Sequence, residues 1–78
     1  MSTQNSKLFS NLWLKAVGAN IRRERVATRL TQEKLAELSE LDPRTIQKIE
    51  AGHITILITT LRRVRKAIGC SYEALLGE

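Results

Sequence analysis

Donor-bearing side chains concentrate between Asp42 and Gly52, where the chain reads Asp-Pro-Arg-Thr-Ile-Gln-Lys-Ile-Glu-Ala-Gly. On a helix, at about 100° per residue, Ile46, Ile49 and Glu50 cluster on one side. Arg44, Lys48 and Ala51 then face the opposite way, with Thr45 and Gln47 on the flanks. Such an outward face is basic at two places, small at a third and rich in donors. Its chemistry suits the edges of bases in a major groove. Arginine pairs bidentately with the two acceptors of guanine and lysine can do likewise; threonine offers a hydroxyl and a methyl for thymine, and glutamine suits adenine. A solvated helix face accounts for the same charges equally well. The two readings part on whether a frame surrounds this helix to present it.

The elements around it can be read from local signals. From about Ser10 to Arg29 the pattern is helical: Leu14, Val17, Ile21, Arg25 and Thr28 share one face at spacings of three and four, and that face is expected to point inward. Arg25 does not fit such a stripe. Thr31 is a candidate N-cap with Glu33 in the first turn, and a second helix follows to about Leu38 or Ser39, carrying Leu35 and Leu38 inward. After a short turn, Asp42 and Pro43 mark a new start, an N-cap acceptor and then a proline where the missing N–H costs nothing. Gly52 marks its end. The stretch from His53 to Thr60 is rich in β-branched residues. A lone strand would have no partner here, so a loop and then a helix from about Leu57 are expected. Leu61, Val64 and Ile68 carry that helix to Gly69, and Ser71 caps a last short helix with Tyr72, Leu75 and Leu76.

Two short helices joined by so tight a turn must cross closely, and Ala36 supplies the small residue at the crossing. Counting from Gln32, apolar residues occur at the fourth (Leu35), tenth (Leu41), fifteenth (Ile46) and eighteenth (Ile49) positions, the pattern of a helix-turn-helix. The segments Arg29-Leu-Thr-Gln-Glu-Lys-Leu-Ala36, Arg44-Thr-Ile-Gln-Lys-Ile-Glu-Ala-Gly52 and Ile68-Gly-Cys-Ser-Tyr-Glu-Ala-Leu-Leu76 resemble the phage-repressor and Cro-like (XRE-type) helix-turn-helix family. The resemblance spans about 17–76. It implies an all-α, five-helix, lambda-repressor-like domain that binds double-stranded DNA and regulates transcription, with helices 2 and 3 forming the helix-turn-helix. One position departs from the family: the ninth of the unit, usually a glycine with positive φ, is Glu40, where a non-glycine residue costs about 1 kcal/mol.

Within that frame Arg44, Thr45, Gln47 and Lys48 are the expected base readers. Phosphate contacts are expected from Thr31 and Gln32, beside the amides that open the second helix. By resemblance to the family, they are also expected from the loop holding His53. Arg25 and Glu50 both fall on inward faces, where an unpaired charge is costly. They are expected to form an ion pair between helices one and three, as matching family positions commonly do. The basic run Arg62-Arg-Val-Arg-Lys66 admits a DNA contact, a solubility role or pairing with acids such as Glu73.

Composition bounds the rest. The chain of 78 residues has 13 Lys and Arg against 8 Asp and Glu, a net charge of +5 that favours polyanionic partners. The length suits a single domain over 1–78, with 1–8 flexible. Cys70 and His53 are single copies, too few for a disulfide or a metal site. No cofactor or small-molecule effector is indicated. Paired carboxylates, a glycine-rich phosphate loop and a nucleophile beside a base are all missing, which argues against an enzyme. No apolar run approaches the roughly 20 residues of a membrane span, and no signal-peptide core is evident, so the cytoplasm is the expected location. One recognition helix covers too few base pairs to select a genomic site, so a homodimer is expected. Ile54, Ile56, Leu57, Ile58, Leu75 and Leu76 form its candidate interface. Leu8, Phe9, Leu12 and Trp13 are a second candidate, more simply read as cover for the domain's own core. Repressor, restriction-modification controller and autoregulating antitoxin all fit a chain of this kind. The alternative is an antitoxin or bridging factor of the same fold whose main partner is another protein.

Overall fold

A computed structural model describes residues 3–78, with side chains described from Ser10 onward. The expectations of a flexible stretch at 1–8 and of core packing by Leu8 and Phe9 fall outside the described side chains. Five helices follow one another among the described residues: α1 (Thr3–Ala27), α2 (Gln32–Ser39), α3 (Pro43–Glu50), α4 (Ile58–Ile68) and α5 (Tyr72–Leu76). Among the described residues there is no strand. The β-branched stretch after Gly52 runs as a loop into α4, as its lack of a pairing partner requires.

Local chemistry sets the boundaries. The Thr31 hydroxyl accepts the Lys34 N–H at 3.0 Å, the Asp42 carboxylate accepts the Arg44 N–H at 2.8 Å, and the Ser71 hydroxyl accepts the Ala74 N–H at 3.1 Å. Each satisfies one of the amides a helix start leaves without a partner. At the other end of α2, Glu40 adopts the left-handed conformation at φ 58° and ψ 44°. The Leu41 N–H donates to the Ala36 carbonyl at 2.9 Å, closing a Schellman-type turn. The turn thus keeps its family geometry without glycine and carries the strain that a side chain there entails. Arg29 does the same after α1, at φ 60°.

The core gathers one stripe from each helix: Val17 and Ile21 from α1, Leu35 and Ala36 from α2, Ile46 and Ile49 from α3, Leu61, Val64 and Ile68 from α4, and Leu75 from α5. α2 packs against both α3 and α4, and α1 against both α3 and α5. Asn20 and Arg23 pin the last pair by donating to the Leu75 and Ala74 carbonyls, both at 3.0 Å.

Several expected core positions are not in the core. Leu38 is 49% exposed, because the two helices that α2 meets cover Leu35, Ala36 and Ser39 instead. Thr28 lies past the end of α1 and is exposed, its hydroxyl donating to the Glu24 and Arg25 carbonyls. Leu12 and Trp13 are exposed and do not cover the core. Leu75 is 0% exposed and has no surface to offer a partner, which removes it from the candidate interface. Ile54, Ile56 and Leu76 are partly buried against the same core.

Candidate nucleic-acid interface

α3 turns Ile46 and Ile49 into the core and leaves Arg44, Gln47, Lys48 and Ala51 exposed, with Thr45 half-buried beside them. The four candidate base readers therefore form one accessible face, and burial of the two isoleucines sets its direction. The phosphate candidates flank it in sequence. Thr31 is exposed at the start of α2, and His53 is exposed just beyond α3 with its N–H donated to the Lys48 carbonyl at 2.9 Å. Gln32 is half-buried.

Two devices lock α3 to α1. The first is polar. The Arg25 guanidinium grips the Glu50 carboxylate through Nε at 2.6 Å and Nη2 at 3.0 Å, and its Nη1 donates to the Leu30 carbonyl at 2.8 Å. The Gln32 amide donates to the same carboxylate at 3.1 Å. Side-chain exposures of 11% for Arg25 and 4% for Glu50 make this a nearly dry, bidentate contact, unlike a surface pair. The hydrogen bonding to Glu50 raises the Arg25 pKa above its usual value, outweighing the opposite effect of burial. One carboxylate on the recognition helix thus joins α1, the start of α2 and α3.

The second device is steric, and sequence reading missed it. A Cβ at Gly18 would lie 2.3 Å from the Ile49 carbonyl oxygen and 2.7 Å from that of Glu50, so α1 and the last turn of α3 touch backbone to backbone. Gly52, at φ 73°, is also tightly placed: a Cβ there would lie 2.7 Å from the Lys15 Cα. A glycine inside a helix costs about 1 kcal/mol against alanine. Gly18 in the middle of the α1 pattern was the available signal of a close approach.

The basic run in α4 divides. Arg65 turns back over the Tyr72 ring, 4.5 Å from its centroid, and donates to the Cys70 carbonyl at 3.3 Å. Arg62, Arg63 and Lys66 remain exposed.

Comparison with known proteins agrees with this geometry. A family model described as helix-turn-helix matches residues 21–75. No curated protein matches the sequence. Among solved structures, the chain is similar to the restriction-modification controller protein C.AhdI from Aeromonas hydrophila. The two share 29% identity and a TM-score of 0.77, over 80% of this chain and 94% of that one. Among the described residues no helix is long and apolar enough to cross a membrane. With its tight α2–α3 turn, its exposed donor face on α3 and a family match over most of its length, the chain belongs to the helix-turn-helix family of DNA-binding transcription regulators.

Proposed function

We propose that the protein is a cytoplasmic, controller-type transcription regulator that binds a specific duplex site as a homodimer, reading the major groove with α3. The observation that carries this reading is the face of α3, where Arg44, Gln47 and Lys48 stand exposed on a helix clamped from behind by Arg25 and Gly18. Arg44 and Lys48 read base edges, Thr45 and Gln47 supplement them, and Thr31, Gln32 and His53 hold the backbone. The controller assignment rests on the likeness to C.AhdI over nearly all of that chain.

Leu57 and Ile58, 68% and 80% exposed at the start of α4, are the apolar surface best placed for a dimer contact. Ile54, Ile56 and Leu76, partly buried against the core, keep only part of their surface for such a contact. A two-fold dimer sets its recognition helices about 34 Å apart, on successive major grooves.

Selection from random duplexes tests the base contacts. Arg44→Ala weakens the preferred site by about 1–3 kcal/mol and flattens preference at one base position, whereas Gln32→Ala weakens all sequences evenly. An unchanged base preference in Arg44→Ala refutes α3 as the reader. Sedimentation tests the assembly: Leu57→Asp with Ile58→Asp yields monomers, and a wild-type monomer both free and on its best site refutes the dimer.

A further inference from the structure

A groove of about 550 Å³ opens between the C-terminal turn of α2 and the outer face of α4, lined by Leu38, Ser39, Glu40, Arg63, Lys66 and Ala67. It shares Arg63 and Lys66 with a second depression of about 310 Å³ along α4, which adds Thr59 and Arg62. No lining residue belongs to α3. The apolar part is Leu38, exposed on a helix whose other leucine is buried, and Ala67, which packs beside the core. The rim carries three cations, Arg62, Arg63 and Lys66. Among the described residues none of them has a carboxylate within ion-pair distance. Three unpaired like charges within five residues of one helix repel one another, and an acidic partner relieves that repulsion.

Other occupants fit less well. The same face of a second copy would set these cations against their own equivalents. A phosphate backbone gains nothing from Leu38 and Ala67, the apolar half of the groove. A segment that combines an apolar side chain with acidic neighbours uses both halves of the surface, the apolar part for affinity and the charges for orientation and encounter. We propose that the α2–α4 groove docks an acidic, amphipathic segment of a partner protein, seating an apolar side chain on Leu38 and Ala67 and its carboxylates on Arg62, Arg63 and Lys66. The regulator can then hold DNA through α3 and a protein through α4 together.

The probe is a synthetic amphipathic peptide of Leu, Ala and Glu, titrated into the isotope-labelled full chain and followed by amide NMR shifts. A control peptide replaces each Glu by Lys. Saturable shifts centred on Leu38, Arg63, Lys66 and Ala67, given by the acidic peptide and not by the basic one, are the expected result. Arg63→Glu with Lys66→Glu weakens peptide binding about tenfold or more, and the milder Arg63→Ala with Lys66→Ala weakens it less. The alanine pair leaves affinity for the selected DNA site within about twofold, and the glutamate pair lowers it evenly across sequences through net charge alone. No saturable binding, or shifts centred on α3, overturns the proposal. A large loss of DNA affinity in both double variants also overturns it and makes the face a phosphate strip. Because DNA affinity is measured separately, failure of the groove and failure of the α3 reading remain distinct.

Discussion

Removing either partner of the Arg25–Glu50 contact measures how strongly α1 holds the recognition helix. In Arg25→Ala the Glu50 carboxylate loses its bonds at 2.6 and 3.0 Å and keeps only the Gln32 amide at 3.1 Å, while the Leu30 carbonyl loses its 2.8 Å donor. At 4% exposure the stranded carboxylate has little water to turn to. Breaking a buried pair in this way costs about 3–5 kcal/mol, chiefly because the remaining charge stays desolvated. Arg25 keeps slightly more solvent than Glu50, so Glu50→Ala falls near the lower end, about 3 kcal/mol, and Arg25→Ala costs more. A chain of this length holds about 4–12 kcal/mol in all, so either variant is severely weakened. Arg25→Met with Glu50→Leu removes both charges and fills their volume, and costs much less than the two single losses together. Urea melts of the wild type, the two alanine variants and the double variant, followed by far-UV circular dichroism, give the coupling directly. Single losses under about 1 kcal/mol, the range of exposed pairs, refute the reasoning. So do single losses that simply add in the double variant.

Gly18→Ala gains helix propensity yet drives a methyl into two backbone carbonyls, so its net effect is a loss of about 1–3 kcal/mol with a displaced α3 and weaker DNA binding; wild-type stability in a urea melt counts against the close approach. Glu40→Gly relieves the left-handed strain and stabilises by up to about 1 kcal/mol in the same assay, and a loss there means the Glu40 side chain supports the fold. Burial, with a smaller contribution from Glu24, raises the Cys70 pKa, so at mildly alkaline pH the folded thiol alkylates more slowly than after unfolding in urea. The sign for stability follows: the unfolded chain ionises first, so the stabilisation is present below the unfolded thiol pKa and is lost as pH rises through the folded one. Equal alkylation rates folded and unfolded contradict that shift.

What the sequence determined by itself is what short-range chemistry decides. Thr31, Asp42-Pro43, Ser71, Gly52 and Gly69 act within one turn of their own backbone, so helix starts and stops are legible without a fold. The spacing of Ile46 and Ile49 likewise orients α3, since whichever helices cover that side, Arg44 and Lys48 must emerge on the other. Inward placement of Arg25 and Glu50 was equally readable from periodicity, because two charges on buried faces need each other. Which flank of a short helix is covered depends on its neighbours, and that only the tertiary structure decided. α2 has little more than two turns, and its packing on α3 and α4 covers Ser39 and leaves Leu38 outside. Leu12 and Trp13 are left exposed, and the short α5 puts Leu75 wholly inside. The backbone contact at Gly18 is of the same kind: a glycine permits a close approach, but only the partner helix, 25 to 32 residues away in α3, turns that permission into a contact.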